Sequence, residues 1–187
     1  VPLLPDFHES ELENILKHSG TSGIFVSDRL RHKIEHLDCK DISLCIRIED
    51  FSVQKSIVDN PEFIIPDSSL VEEEDLATIL YTSGTTGKSK GVMLTHKNIC
   101  ANTLSCRELQ NVTVGDRMLS ILPLSHTLEN TLGLILPMSG GACTYYLPGI
   151  PTPAVLLPAM QKVKPTIMLS VPLIIEKIFK LRIKPTL

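Results

Sequence analysis

No two of the five cysteines (Cys39, Cys45, Cys100, Cys106 and Cys143) stand in C-x-x-C spacing. That argues against a zinc ribbon and against a thioredoxin-like redox site. The expectation left is reduced, mostly buried thiols in a cytoplasmic protein. Long hydrophobic runs are missing too. The longest, around Thr131–Met138 and Thr166–Ile175, are interrupted and too short to cross a bilayer. No basic-then-apolar leader opens the chain, so secretion is not expected. The first residue is Val1, not Met, which points to a chain cut from something longer. What is present is 187 residues, 43% hydrophobic and 21% charged, the composition of a folded globular chain rather than a disordered one. The length suits one domain or a large piece of one.

Charge is unevenly spread. Residues 1–75 hold seven Lys or Arg against seventeen Asp or Glu, whereas residues 151–187 hold six against one. The acidic front argues against a nucleic-acid partner. The basic end (Lys162, Lys164, Lys177, Lys180, Arg182 and Lys184) has no interleaved aromatics and reads as a solvated face.

Apolar blocks alternate with amphipathic ones, which predicts an α/β fold. Helices are expected over Glu9–His18, over Arg29–Leu37 with Asp28 as its cap, from Thr95 as a cap to Leu109, and over Leu128–Met138, Ala154–Val163 and Leu173–Leu181. Strands are expected at Gly23–Ser27, Ile42–Ile48, Leu76–Thr82, Gly91–Leu94, Met118–Leu122, Ala142–Leu147 and Thr166–Ser170. Glu49–Asp75, with its weak periodicity and acidic run, reads as a loop-rich excursion. Strands without polar alternation, separated by helices, imply a mostly parallel sheet covered on both faces.

The chemistry is concentrated in Tyr81-Thr82-Ser83-Gly84-Thr85-Thr86-Gly87-Lys88-Ser89-Lys90-Gly91. Glycines let the backbone approach an anion and turn amides towards it. Hydroxyls donate short hydrogen bonds, and lysine adds mobile positive charge. A polyphosphate needs all three. Two familiar phosphate motifs do not fit. A Walker A loop would require glycine at Thr82 and a helix straight after the loop, and a dinucleotide fingerprint would require glycine at Thr86. A ligand-free hairpin rich in Gly, Ser and Thr is the bland alternative.

This segment closely resembles the phosphate-binding signature of adenylate-forming enzymes: acyl-CoA synthetases, peptide-synthetase adenylation domains and luciferases. The likeness extends upstream to Asp75–Leu80 and downstream through Gly91-Val92-Met93-Leu94-Thr95-His96-Lys97-Asn98. Leu122-Pro123-Leu124-Ser125-His126 looks like the family's next core motif. Pro165-Thr166 and Val171-Pro172, followed by Glu176-Lys177-Ile178, are similar to long-chain fatty acid–CoA ligases in particular. The sequence departs from the pattern at Ser89, where the family usually has proline, and at Asn130, where many relatives carry an aromatic gate. The motifs for adenine and magnesium, for ribose, and the C-terminal catalytic lysine have no counterpart in these residues.

The resemblance implies a partial N-terminal AMP-binding domain over 1–187, with an α/β run-in at 1–75, the signature and its following helix at 76–110, and further α/β units at 111–187. It implies that Thr82, Ser83, Gly84, Thr85, Thr86, Gly87, Lys88 and Lys90 bind the phosphates of ATP, with Lys90 the signature lysine. It implies that His126 lines the point where carboxylate meets α-phosphate. ATP, Mg²⁺ and coenzyme A would be the cofactor and co-substrates, and a fatty acid the substrate, with an aryl or amino acid, or a non-catalytic nucleotide-binding module, as alternatives. The expected setting is the cytoplasm, with room for peripheral membrane contact of the parent and for self-association of the chain. Two other constellations carry less. Ser125, His126 and Glu129 lack the G-x-S-x-G elbow of a hydrolase and, if Ser125 and His126 are neighbours on a strand, point to opposite faces. His32 and His36, one helical turn apart near Cys39, lack an evident fourth metal ligand.

Overall fold

The architecture is given by a computed structural model. The structure describes residues 1–37, 42–56, 67–82, 89–147, 149 and 151–180. The chain divides into two compact units, Val1–Thr95 and His96–Leu187.

The first unit opens with α1 (Glu9–His18). Leu12, Ile15 and Leu16 recur at helical spacing and are buried, and the Glu11 carboxylate accepts the His8 backbone N–H at 3.1 Å at the helix start. β1 (Gly23–Val26) follows, then α2 (Asp28–Arg31), β2 (Leu44–Arg47) and β3 (Val53–Ser56). β2 is the centre of this sheet, parallel to β1 and antiparallel to β3. β4 (Leu76–Thr82) and β5 (Lys90–Thr95) form a separate antiparallel hairpin.

Four expectations change. The thiols are not mostly buried: among the described cysteines, Cys100 and Cys143 are exposed and Cys45 and Cys106 half-buried. The helix expected to Leu37 stops at Arg31, and the chain continues in tighter turns, with Lys33 N–H on Leu30 C=O and Leu37 N–H on Ile34 C=O. Asp28 does not cap it. Ser27 holds the cap position, and Asp28 pairs instead with Arg47 at 2.5 Å. The stretch expected to be loop-rich contains β3 and a short 3₁₀ turn, Ser68–Leu70.

The second unit begins with α3 (His96–Leu109), then β6 (Arg117–Ser120), a π-helical segment Glu129–Ile135 running into α4 (Leu136–Gly140), β7 (Cys143–Tyr146), α5 (Pro153–Val163), β8 (Ile167–Met168) and α6 (Pro172–Ile178). The expected helix at 128–138 is therefore π-helical over most of its length. β7 and β8 flank β6, and both pairings are parallel. Three of the five pairings among the described residues are parallel, so the α/β class and its parallel character hold, distributed over three small sheets.

Leu119, Ile121 and Leu156 form the second unit's core, packed by Met160, Met168, Ile174 and Ile178. Each fully buried aliphatic side chain contributes about 1.5–3 kcal/mol. Arg117 fastens β6 to the end of α5. Its guanidinium donates to Val163 C=O at 3.0 Å and to Lys164 C=O at 2.8 Å, satisfying carbonyls the helix leaves open. Among the described residues no helix is long and apolar enough to cross a membrane.

Candidate functional site

The hairpin places the signature. Its register pairs Leu80 with Val92, Tyr81 with Gly91, and Thr82 with Lys90. Directly opposed residues on antiparallel strands share a face, with Cβ atoms about 5 Å apart. Thr82 and Lys90 therefore leave the same face of the hairpin at its open end, and both residues are exposed. Ser83, Gly84, Thr85, Thr86, Gly87 and Lys88 lie outside the described residues. Strand, loop and returning strand follow in the order the sequence predicted, which separates this loop from a Walker A turn.

On the other face, Tyr81 anchors the hairpin to α1. Its hydroxyl is 2.7 Å from His18 Nδ1, and the two rings meet edge to face at 5.9 Å. Burial pushes the Tyr81 phenol above its usual range, against a hydrogen bond from Ser19. Gly91 makes room for this packing. A Cβ there would lie 2.9 Å from Ile79 Cγ2 and 3.2 Å from Tyr81 Cζ. Leu80, 2% exposed, fixes the opposite face in the core.

His126 belongs to the second unit. It is exposed, and it sits in a turn rather than on a strand, because β6 ends at Ser120. The strand-face argument against a Ser125–His126 pair thus does not apply. The turn is closed by the His126 N–H on Pro123 C=O at 2.9 Å, and the His126 carbonyl accepts the Asn130 N–H at 2.9 Å. Leu128 N–H donates to His126 Nδ1 at 3.3 Å. A neutral imidazole accepting at Nδ1 carries its proton on Nε2, which makes that nitrogen a donor.

Beneath this turn lies a group that the sequence reading weighed only as a third triad member. Glu129 is 0% exposed. Ser120 Oγ donates to its Oε1 at 2.5 Å, while Oε2 has no hydrogen-bond partner. Burial pushes the Glu129 carboxyl above the ordinary value, against the pull of the Ser120 hydrogen bond and of the His126 charge. The signal was present in the sequence: Glu129 is the single acidic residue between Asp116 and Glu176. An isolated carboxylate in an apolar stretch is a residue to examine for burial.

The comparisons with known proteins fit this geometry. The AMP-binding enzyme family matches residues 1–186. The chain therefore belongs to the AMP-binding enzyme family. It is 35% identical over 125 residues to the human long-chain-fatty-acid–CoA ligase ACSBG2, an alignment that covers 63% of this chain and 19% of that protein. Among solved structures it is similar to a long-chain-fatty-acid–CoA ligase (FadD1) from Archaeoglobus fulgidus, with a TM-score of 0.74 and 26% identity over 96% of this chain and 36% of that one. ATP-bound MatB from Rhodopseudomonas palustris shares the fold, with a TM-score of 0.75 and 23% identity over 97% of this chain and 36% of that one. The chain spans under a fifth of the length of the curated relatives it matches.

Proposed function

We propose that the chain is the phosphate-loop part of the N-terminal domain of an acid–thiol ligase that activates a fatty acid. The carboxylate attacks the α-phosphate of ATP, forming acyl-AMP and releasing pyrophosphate. The thiol of coenzyme A then displaces AMP, leaving acyl-CoA. A carboxylate is a poor electrophile, and the adenylate supplies the leaving group it lacks. The protein's share of the first step is to position the reactants and to neutralise phosphate charge. Thr82, Ser83, Thr85, Thr86, Lys88 and Lys90 would supply donors and charge, with Gly84 and Gly87 giving backbone approach. His126 would donate from Nε2 to an oxygen at the reacting centre. The Mg²⁺ that accompanies ATP is held largely by phosphate oxygens, and no residue of this chain is assigned to it.

The observation that carries the reading is the pairing of Thr82 with Lys90 at the mouth of a glycine- and hydroxyl-rich turn, in a chain matched almost end to end by AMP-binding enzymes. ATP-bound MatB and the fatty-acid ligases among its relatives support the choice of nucleotide and acid. The test is ATP–pyrophosphate exchange by the intact protein against a panel of carboxylic acids. Exchange with fatty acids is expected. Exchange confined to aryl or amino acids would move the reading elsewhere in the family, and none with any acid would remove it. For the 187-residue chain alone, self-association is the expected state. β1 is a sheet edge with Phe25 59% exposed, and open apolar edges invite pairing. A strictly monomeric species by light scattering at high concentration would contradict it.

A further inference from the structure

We propose that Glu129 is a positioning residue for His126: its carboxyl, bound by Ser120 and seated over Gly133, ties together the two ends of the segment that carries the imidazole. Ser120 is the last residue of β6, and Glu129 is the first of the π-helical segment. Everything between them, Ile121–Leu128, is the His126 turn and its approaches. The Ser120–Glu129 hydrogen bond closes this eight-residue span. Both side chains are buried, Ser120 at 4% exposed and Glu129 at 0%. A bond between buried groups is not exchanged freely for water, so losing one partner leaves the other unsatisfied.

The backbone beside it is shaped to receive the carboxyl. Gly133 is buried, and a Cβ built there would lie 2.5 Å from Glu129 Cδ. Glu129 therefore folds along its own helix into space that only glycine leaves open. The segment is π-helical here, a widened turn that is often found at functional sites. From this fixed start, Leu128 N–H is held on His126 Nδ1 and Asn130 N–H on the His126 carbonyl, while Asn130 Nδ2 donates to Leu124 C=O at 3.3 Å. The consequence is a single preferred tautomer, with the proton on Nε2. Burial, which raises the carboxyl's pKa, favours its neutral form, and glutamine reproduces that form's shape and acceptor.

The experiment has two arms. In the first, the 187-residue chain is labelled with ¹⁵N-histidine, and the His126 signals are assigned by their loss in His126→Ala. The wild-type chain and Glu129→Gln should show the Nε2–H tautomer in excess. Glu129→Ala and Ser120→Ala should move His126 towards the mixture of a free imidazole. A wild-type tautomer ratio in folded Ser120→Ala would overturn the proposal, and that variant decides the matter even where Glu129→Ala does not fold. The second arm rests on the fatty-acid ligase reading and uses the intact protein. Glu129→Ala should slow acyl-adenylate formation by about tenfold, Gln should restore it, and Glu129→Ala added to His126→Ala should cost nothing further. Full additivity of the two changes would overturn the proposal. An intact protein that adenylates no acid would sink the ligase reading, while the tautomer ratio would still decide the role of Glu129.

Discussion

The two units differ at one carboxyl, although the second also holds an exposed one, Asp116, below its usual range. In the first, the shifted carboxylates are exposed and stabilised as anions. Asp50 is held below its usual range chiefly by Ser52, and Asp67 by Ser69. Thr82 and Lys90 stand in water at a hairpin mouth. In the second, one carboxyl is sealed inside and pushed the other way. An exposed array can rearrange around a highly charged ligand at little cost to the fold. A buried one transmits any change directly to packing. In the ligase reading proposed above, the hairpin would grip a polyphosphate and the His126 turn would present one group in one orientation.

The sharpest test of the contrast is a pair of glycine substitutions. Gly133→Ala drives a methyl into the Glu129 carboxyl, and the expected loss is about 2–3 kcal/mol, as overpacking and a displaced buried polar group combine. Gly91→Ala meets the Ile79 Cγ2 methyl and the Tyr81 ring, both on half-buried residues with solvent on one side, so about 1 kcal/mol is expected. Urea unfolding of the two variants would measure both losses. Equal losses would erase the distinction between the units.

Lys90→Ala tests the exposed side by function rather than by stability. A charge-assisted hydrogen bond contributes about 1.5–3 kcal/mol, so adenylation by the intact protein should fall about ten- to a hundredfold. The unfolding midpoint should hardly move, because Lys90 is exposed. Lys88→Ala should do less. Negligible effects from both would count against the phosphate assignment.

How much of this was legible beforehand follows the same divide. α1 and β4 fall where the sequence placed them, because apolar spacing and local stop signals fix both. The order of strand, loop and second strand around the signature was legible too, but the antiparallel register of the hairpin was not. β3 was not legible, because Val53–Ser56 is held by pairing with β2 rather than by its own pattern. The π-helical segment was read as an ordinary helix, since an apolar face looks alike in both. The segment's buried carboxyl accepts a hydrogen bond from a residue nine positions back and lies over a glycine. Local spacing reports neither.

The pH dependence of stability offers a third comparison, between the wild-type chain and Glu129→Gln. The native Glu129 carboxyl keeps its proton above 4.5, where an unfolded glutamate releases it. The folded state then binds more protons than the unfolded one, so stability falls as pH rises from 4.5 towards the raised value, by at most about 1.4 kcal/mol per pH unit. Asp116 works in a separate window. Thr166 and Thr113 hold its carboxyl below 3.8, so its contribution is lost as pH falls through that lower range. Urea titrations of both proteins above pH 4.5 should show a downward slope for wild type that flattens in Glu129→Gln. Parallel curves would mean that Glu129 ionises normally in the folded chain.

The smallest effect is expected at Tyr81→Phe, which asks whether the hairpin hides a tie as strong as that of Glu129. The substitution keeps the ring over Gly91 and removes only the hydroxyl, which meets His18 Nδ1 and Ser19. That contact is exposed on the His18 side, so water replaces it, and a neutral hydrogen bond of this kind contributes about 0.5–1 kcal/mol. Loss of the bond frees the end of α1 from the hairpin while Leu12, Ile15 and Leu16 still hold the helix in the core. The change should therefore be local, and amide hydrogen exchange reads it better than a global midpoint does. Amides near Tyr81 and Gly91 should exchange a few-fold faster, with those of β6 unchanged. A loss of about 3 kcal/mol, or faster exchange throughout the first unit, would make Tyr81 the counterpart of Glu129 and leave the hairpin as rigidly held as the His126 turn.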